Sequence, residues 1–555
     1  MDRKSFVTFL IHFGGKNMKK IILFAMLISL ALIGISCVSA ADIDNSTITD
    51  AQIHPISFPD AIDSHNSTDI IEDSNMNSDE NPNDQTPGSF DDLQAEIDNA
   101  ADGSILILTR DYHGDENSFV QLDKNLIIDG QGHTIDCLNK DGCSAFYSSK
   151  GDITIKNLRI INANNDYDGG AIYITDDAKY TISNCTFENN RAEEKGGAVY
   201  SENSLDIENS TFISNSADNG GAVYVERGLN AVNVDFTQNS ANDYGGAFYS
   251  DRDSYISQCL FESNRVTSDY GYGGAIYVDN AEISNSTFKK NYAKASGGAV
   301  YAFGLTLLGS NSFEDNTAGK HGGAIYTSIF TDDVKYAKFI NNTAENGYGG
   351  AIHIYSENKV AFSQCIFVNN HCGQGGGVIY LDSSRSHLTL ENNFFNGNSA
   401  GKKGQAVFNY GYYDSVDSNC WSEQNPSSNN DILTSAHISG PNDYISDSNP
   451  LGMILSRSKF IYGVNETINL TVCFMNNNGS IFDGELFDLS NLNLYYSAHI
   501  DYSNKEINPS NVSVDLTTNS RGIHMIFAEF YGYSIFTILL STLKNKPADC
   551  MTLNC

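Results

Sequence analysis

The sequence predicts an all-β protein: a parallel β-helix of short stacked coils, closed at its start by a capping helix and followed by a small Ig-like β-sandwich. Three observations predict it. The stretch GGAIY at 169–173 returns in varied form, with its first glycine at Gly169, Gly196, Gly220, Gly245, Gly273, Gly297, Gly322, Gly349 and Gly376, in steps of 24 to 28 residues; a worn copy, GQAVF, begins at Gly404. A second motif, F-x-x-N, runs between the copies at the same period: Phe187 with Asn190, Phe212 with Asn215, Phe236 with Asn239, Phe261 with Asn264, Phe288 with Asn291, Phe313 with Asn316, Phe339 with Asn342, Phe367 with Asn370 and Phe395 with Asn398. The text then changes after Pro426, from glycine-punctuated repeats to alternating runs such as KFIYGVNETINLTVCF. Two motifs locked at one short period mean one supersecondary unit stacked on its neighbours.

From the N-terminus, MKKIILFAMLISLALIGISCVSA (18–40) has a basic start, a short apolar core and a small-residue cleavage text, so 1–40 reads as a signal peptide, with Met18 a second possible start. The apolar run is short of the roughly 20 residues that a membrane span needs. Residues 41–88 are polar and read as a disordered spacer. In FDDLQAEIDNAA (90–101), Phe90, Leu93, Ile97 and Ala100 recur at helical spacing, and ILILT (105–109) reads as a buried strand. A helix there would cover the open end of a stacked sheet. NLIIDGQGHTID (125–136) and DITIKNLRIINA (152–163) read as early, irregular coils, giving a β-helix over 89–420. Residues 421–449 read as a linker, 450–545 as the sandwich and 546–555 as a tail.

The repeat has a physical reading. Gly-Gly supplies a bend with dihedrals that other residues avoid, and lets adjacent coils approach closely. Phe stacks on Phe of the next coil. The Asn tolerates a left-handed turn, and its amide can bond to the Asn above and below. A leucine-rich repeat would need a Leu pattern that is missing, and a propeller blade about 40 residues.

With 33 basic and 68 acidic residues the net charge is −35, a surface that repels nucleic acid and anionic lipid. Cys185, Cys259 and Cys365 sit two residues before a repeat Phe, in coils that are not neighbours. Three coils at about 4.8 Å put the closest two about 14 Å apart, beyond disulfide reach. They read as small packing residues, whereas Cys137 and Cys143, and Cys550 and Cys555, are near enough in sequence to pair. No CxxC or His/Cys cluster points to a metal.

One column invites function. The fifth letter of the repeat is Tyr173, Tyr200, Tyr224, Tyr249, Tyr277, Tyr301, Tyr326, His353 and Tyr380, while the fourth is always Ile, Val or Phe. Period-two alternation puts the two on opposite faces, so an inward aliphatic column leaves an outward aromatic stripe, able to stack on sugar rings or anchor a protein, or simply to stabilise the stack. Acids near the Gly-Gly bend (Asp166, Asp168, Asp218, Asp243) give way to Lys195, Tyr272, Ser296 and His321 in other coils. That column reads as a variable solvated turn, with Ca²⁺ the minority reading and no cofactor otherwise expected. Several of the ten N-x-[ST] sequons, among them Asn45, Asn66, Asn184, Asn209, Asn285, Asn341 and Asn465, fit a glycosylated exported surface.

The paired GGAI and F-x-x-N motifs resemble the repeats of the polymorphic outer membrane proteins of chlamydiae. The plan of 90–545 is similar to that of adhesin-like surface proteins of methanogenic archaea, which carry a signal peptide, a helix-capped right-handed β-helix of pectin-lyase-like fold opening on a text like LIIDGQGHTID, and Ig-like domains after it. The resemblance makes Asp129 and Asp136 coil-turn residues. The closing text SNCWSEQNPSS keeps Trp421, Asn425 and Pro426 of the family pattern but lacks its second Trp and its Gly. Neither a membrane barrel nor a recognised anchor is expected, so membrane attachment would come from an uncleaved signal or an unidentified anchor. The resemblance implies an exported adhesin-like protein that binds glycans or proteins of other cells. Its rival is a polysaccharide lyase or hydrolase, which would need converging carboxylates; the third reading is a structural envelope protein.

Overall fold

The computed structural model describes residues 54–56, 86–402, 404–417, 419–421 and 432–434, and in the C-terminal part 452–457, 461–475, 488–496, 500–508, 511–520, 522–531 and 533–542. The proposed leader and tail lie outside these residues, as does most of the spacer. The chain divides into two units, one built mainly from 69–419 and the other mainly from 449–555 together with 1–68.

The first unit is a β-helix whose strands pair in parallel, each with its counterpart one coil away. Helix α1, Phe90–Asn99, opens it. Ser89 accepts from the Asp92 backbone N–H while the Asp92 carboxylate accepts from the Ser89 N–H, a reciprocal cap that fixes the helix start. Phe90, Leu93 and Ile97 are buried. The helix does more than cover the end of the stack: the Gln94 side chain accepts from the Gln121 N–H (2.7 Å) and donates to its carbonyl (3.1 Å), standing in for an absent strand. At the other end of α1, the Lys124 ammonium donates to the carbonyls of Ile97 and Ala100 (2.9 and 3.0 Å), satisfying last-turn acceptors with a cation. The strand expected to be buried here is not. Ser104–Ile107 pairs with Leu126–Asp129, and Ile105 and Ile107 are 56 % and 55 % exposed. The apolar run misled because this strand keeps an outward face that later coils fill with polar residues.

A regular coil is represented by residues 196–219. Gly196-Gly197 turns into Val199–Ser201, a bend leads to Leu205–Glu208, a left-handed residue (Asn209) turns into Thr211–Ile213, and a second (Ser214) leads to Ser216–Asn219. Among the described residues, the nine strands holding the repeat Phe are consecutive members of one sheet of 14, and the short strands after the Asn lie in another of 10. At about 4.8 Å per coil, 14 stacked strands extend roughly 60 Å. Gly221 shows why the second glycine is required: a Cβ there would lie 2.1 Å from the Gly246 carbonyl oxygen of the next coil. Gly220 before it has φ +60°, a conformation that costs other residues.

Inside, the nine repeat Phe rings from Phe187 to Phe395 stack with centroids 4.7–5.4 Å apart and planes within 18° of parallel. Each is fully buried. Beside them runs the Asn ladder. The Asn239 side-chain oxygen accepts from both the backbone N–H (2.9 Å) and the amide (3.0 Å) of Asn215, while the Asn239 amide donates to the Phe212 carbonyl (3.0 Å). The same set recurs from Asn190 through Asn370. These asparagines do not adopt the expected left-handed conformation. The residue before each does: Asn189, Ser214, Gln238, Ser263, Lys290, Asp315, Asn341, Asn369 and Gly397. The turn is made one position early so that the Asn side chain can point inward. Cys185, Cys259 and Cys365 are buried free thiols, as the column spacing implied. Ile432–Thr434, inside the expected linker, adds a further parallel rung on Val407–Asn409.

Among the described residues, the C-terminal unit shows two sheets. One pairs Gly452–Arg457, Thr467–Met475, Asn511–Thr518 and Ile500–Asn508 antiparallel. The other pairs Asn493–Tyr496, Gly522–Phe530 and Tyr533–Thr542 antiparallel, with Ile461–Gly463 parallel at one edge. Ile468, Leu470 and Val472 are buried at alternate positions, opposite Val512, Val514 and Leu516 in the same sheet. His54–Ile56, within the expected spacer, adds a strand to the second sheet against Asn493–Tyr496.

Candidate ligand-binding face

The strand after each Gly-Gly bend sends its two kinds of side chain in opposite directions. Val223 and Val225 are fully buried, and Tyr224 between them points outward. Because register is exact from coil to coil, the outward residues pair directly: Tyr173 with Tyr200, Tyr200 with Tyr224, Tyr224 with Tyr249, and on to Tyr326 with His353 and His353 with Tyr380. The result is an outer ladder from Tyr147 to Phe408 with centroids 4.4–5.6 Å apart.

This ladder is not the open stripe that alternation suggests. Tyr200, Tyr224 and Tyr380 are 3–6 % exposed, and Tyr173, Tyr249, Tyr277, Tyr301 and Tyr326 are half-buried. Ring faces stack on one another, so a ligand meets mainly edges and hydroxyls. Two flanking rows do the sheltering. On one side lie residues immediately before Gly-Gly. Tyr244 packs against Tyr272 and Tyr277, Tyr272 against Tyr301, and Tyr348 against Tyr380. Tyr272 and His321, read from sequence as solvated turn residues, are therefore part of the ladder's cover, with His321 stacked on Tyr348.

On the other side lie residues two after the Tyr, on the same face. The Tyr173 hydroxyl donates to Glu202 (3.0 Å), Tyr200 to Glu226 (2.8 Å), and Tyr224 and Tyr249 both to Asp251 (3.1 and 2.8 Å). Burial is the first cause that raises these phenols, and the adjacent carboxylates raise them further. Burial likewise pushes Tyr277 and Tyr326 up to about 12. Asp279 continues the row, its carboxyl raised by burial and then by repulsion from Asp251 and Asp253. Sequence reasoning missed this row, although its signal, a Tyr-x-acid text in YSE, YVE, YSD and YVD, was present. From Tyr301 to His353 the row changes character, with Phe303, Ser328 and Tyr355 in place of the acids, and an acid returns only at Asp382, two after Tyr380.

Glu226, Arg227, Arg252 and Asp253 line an open depression of about 580 Å³ at the edge of this acidic stretch. Arg227 is tied to Asp176 two coils away, and Lys195 lies 4.8 Å from the Tyr224 ring. Among the described residues no group of three or more His, Cys, Asp or Glu side chains could hold a metal ion. Asp166 and Asp168, where Ca²⁺ was the minority reading, form no such group, and burial raises the Asp168 carboxyl. Asp129 is structural: it accepts from the Asn157 amide (2.9 Å) and pairs with Lys156 (3.2 Å). His133 contacts Asp111 at 3.1 Å, and Asp136 caps the Leu138 N–H at 2.8 Å.

Comparison with known proteins agrees with this geometry. Residues 230–395 match the right handed beta helix region, and 184–202 and 209–226 match the Chlamydia polymorphic membrane protein repeat. The chain is 34 % identical over 132 residues to the probable autotransporter YfaL of Escherichia coli (strain K12), covering 23 % of this chain and 9 % of that protein. It is 30 % identical over 213 residues to the probable outer membrane protein pmp6 of Chlamydia pneumoniae, covering 30 % and 16 %, and 28 % identical over 158 residues to pmp21 of the same organism, covering 26 % and 9 %. The matched stretches thus span less than a fifth of each relative's length. Among solved structures, the Dettilon tailspike protein (gp208) aligns over 78 % of this chain and 86 % of its own at 12 % identity, but with a TM-score of 0.26 it carries no argument. The first unit is a right-handed parallel β-helix, two coils of which match the chlamydial repeat.

Proposed function

We propose that this is an exported, adhesin-like protein of the cell surface, whose β-helix binds glycans or proteins of other cells through the lateral face that carries the outer ladder. The observation that carries the reading is the ladder's acidic half. Over the coils of Tyr173 to Tyr277, phenol hydroxyls and ring edges alternate with Glu202, Glu226, Asp251 and Asp279 beside an open depression, a repeated mixture of apolar edge and hydrogen-bonding groups. Such groups suit sugars and polar protein surfaces, and repetition at coil spacing turns weak contacts into avidity. The surface location is supported by the printed descriptions of the relatives as outer membrane and autotransporter proteins. No cofactor enters this reading.

A second reading, a polysaccharide-active enzyme, draws on one observation: Glu226 and Asp253 line the depression, and Asp279 nearby is raised by burial and then by repulsion from Asp251 and Asp253. Two carboxylates held about 5 to 10 Å apart are what a glycosidase needs. A glycan array probed with residues 41–545, with every bound sugar recovered and checked for chain length, separates the two. Binding of intact sugar is expected. Shortened or unsaturated products would overturn the adhesin reading in favour of the enzyme, and no binding to any sugar or to intact cells would leave a structural envelope role.

A further inference from the structure

Of the buried thiols in the β-helix, two have each other for company. Cys137 follows the strand Thr134–Asp136, and its N–H donates to the Ile161 carbonyl (3.0 Å). Cys143 accepts at its carbonyl from the Asn164 N–H (3.1 Å), so the neighbouring coil holds both cysteines within one short segment. Between them the chain makes two successive tight turns, Lys140 N–H to the Cys137 carbonyl (2.9 Å) and Cys143 N–H to the Lys140 carbonyl (3.1 Å). Leu138, Asn139 and Gly142 take left-handed φ values of 54°, 53° and 68° to achieve this. A leucine in that conformation, 46 % exposed, gains nothing locally, and what the two turns accomplish is to fold the chain back so that both cysteines are buried side by side, with the Cys143 sulfur 3.7 Å from the Ser118 hydroxyl. Both cysteines are fully buried.

Their position matters. A Cβ placed on Gly114 would meet the Cys143 sulfur at 2.4 Å and the Phe90 ring at 2.7 Å. The pair therefore packs at the spot where α1 anchors its first buried side chain to the end of the solenoid. Among the other described cysteines of the β-helix, Cys185, Cys259 and Cys365 donate to the carbonyls of Ser183, Ser257 and Ser363, two residues earlier in the same coil, and Cys372 packs between Ala344 and Ala400.

We propose that Cys137 and Cys143 close into a disulfide that staples the turn beneath the N-terminal cap, an oxidative modification made when the chain meets an oxidising compartment. Each thiol gives up its proton and one electron, the sulfur–sulfur bond forms, and the two electrons and two protons pass to an oxidant of the disulfide class, which leaves as two thiols. Burial of both sulfurs means that the bond forms before α1 docks, and that once formed it is shielded from reductants. This inference does not depend on what the lateral face binds.

The test refolds the full chain in a reduced and oxidised glutathione buffer, quenches it with acid, alkylates it under denaturing conditions and digests it with trypsin without reduction. Lys140 lies between the two cysteines, so the peptides 125–140 and 141–150 stay together only through the bond. The expected result is a linked pair that reduction separates, with Cys185, Cys259 and Cys365 alkylated. Finding both peptides alkylated and separate, or either cysteine joined elsewhere, would overturn the proposal. A thermal melt supplies the second measurement. Reductant present throughout unfolding should lower the midpoint of the wild-type β-helix by about 2–5 °C and leave the Cys137→Ser/Cys143→Ser double variant unmoved. A linked pair without that difference would remove the stapling role.

Discussion

Two aromatic columns run the length of the β-helix, and they differ in almost everything except their period. The inner column is Phe at all nine positions, fully buried, with planes within 18° of parallel. The outer column is mostly Tyr, admits His353 and Phe408, and tilts by 5° to 68° between neighbours. Inside, each ring is confined by close packing and by an Asn ladder whose hydrogen bonds are complete, so any other residue leaves a void or an orphaned polar group. Outside, the rings are held from below but trimmed by side chains that vary from coil to coil. The inner column fixes the architecture, while the outer one is free to specialise, as it does where acids give way to Phe303 and Tyr355.

The sharpest way to break the contrast is from within. Phe236→Ala removes a fully buried ring from the middle of the stack, and a loss of about 3–5 kcal/mol is expected in urea unfolding. A loss near zero would mean that the coils repack freely. Next in size, Asn239→Ala strips the Asn215 backbone N–H and amide of their shared acceptor and the Phe212 carbonyl of its donor. Buried groups left unpaired make a loss of about 2–4 kcal/mol the expected outcome of the same measurement.

The outer column should respond to pH at one coil. His353 is 3 % exposed, neither ring nitrogen has a hydrogen-bond partner, and burial holds its pKa well below the ordinary value. His321, Tyr326, Tyr348 and Tyr380 pack around it, and Asp382 lies at 4.0 Å. The unfolded histidine takes a proton near pH 6.5 and the folded one does not, so its contribution is fully present above that value and is lost as pH falls below it. The loss is about 1.4 kcal/mol per pH unit at most. His353→Tyr, which restores the repeat residue, should flatten the difference in urea midpoint between pH 7.5 and 5.5; an unchanged slope would show that His353 does not titrate there. The smallest effect is expected for Tyr249→Phe, which removes one hydroxyl from Asp251 while Tyr224 still donates to it. Stability should change by less than about 1 kcal/mol.

The same contrast explains what could be read from the sequence. A solenoid places one residue per coil in each column, so a column that tolerates a single residue type announces itself as a period; Gly-Gly, Phe and Asn did. Columns that tolerate many types leave no period. Tyr244, Tyr272, His321 and Tyr348 share one position with Lys195 and Ser296, and looked like a turn. Placing the left-handed residue one position after its true place had the same origin, since Ser214, Gln238, Lys290 and Asp315 have no common identity. Ile105 and Ile107 misled for another reason: an end coil has no preceding rung, and an apolar run there does not mean burial on both faces.

The central claim is that the acidic half of the outer ladder is a binding face and the half bordered by Phe303 and Tyr355 is not. Its most direct test is the affinity, for the sugar or cell that the array identifies, of the variant Tyr224→Ala/Tyr249→Ala/Tyr277→Ala, compared with Tyr301→Ala/Tyr326→Ala in the half bordered by Phe303 and Tyr355. Both proteins would first be checked for an intact β-helix by far-UV circular dichroism and melting. The account predicts at least tenfold weaker binding for the first variant, about 1.4 kcal/mol, with little change for the second. Equal affinity of the folded first variant and the wild type would contradict it.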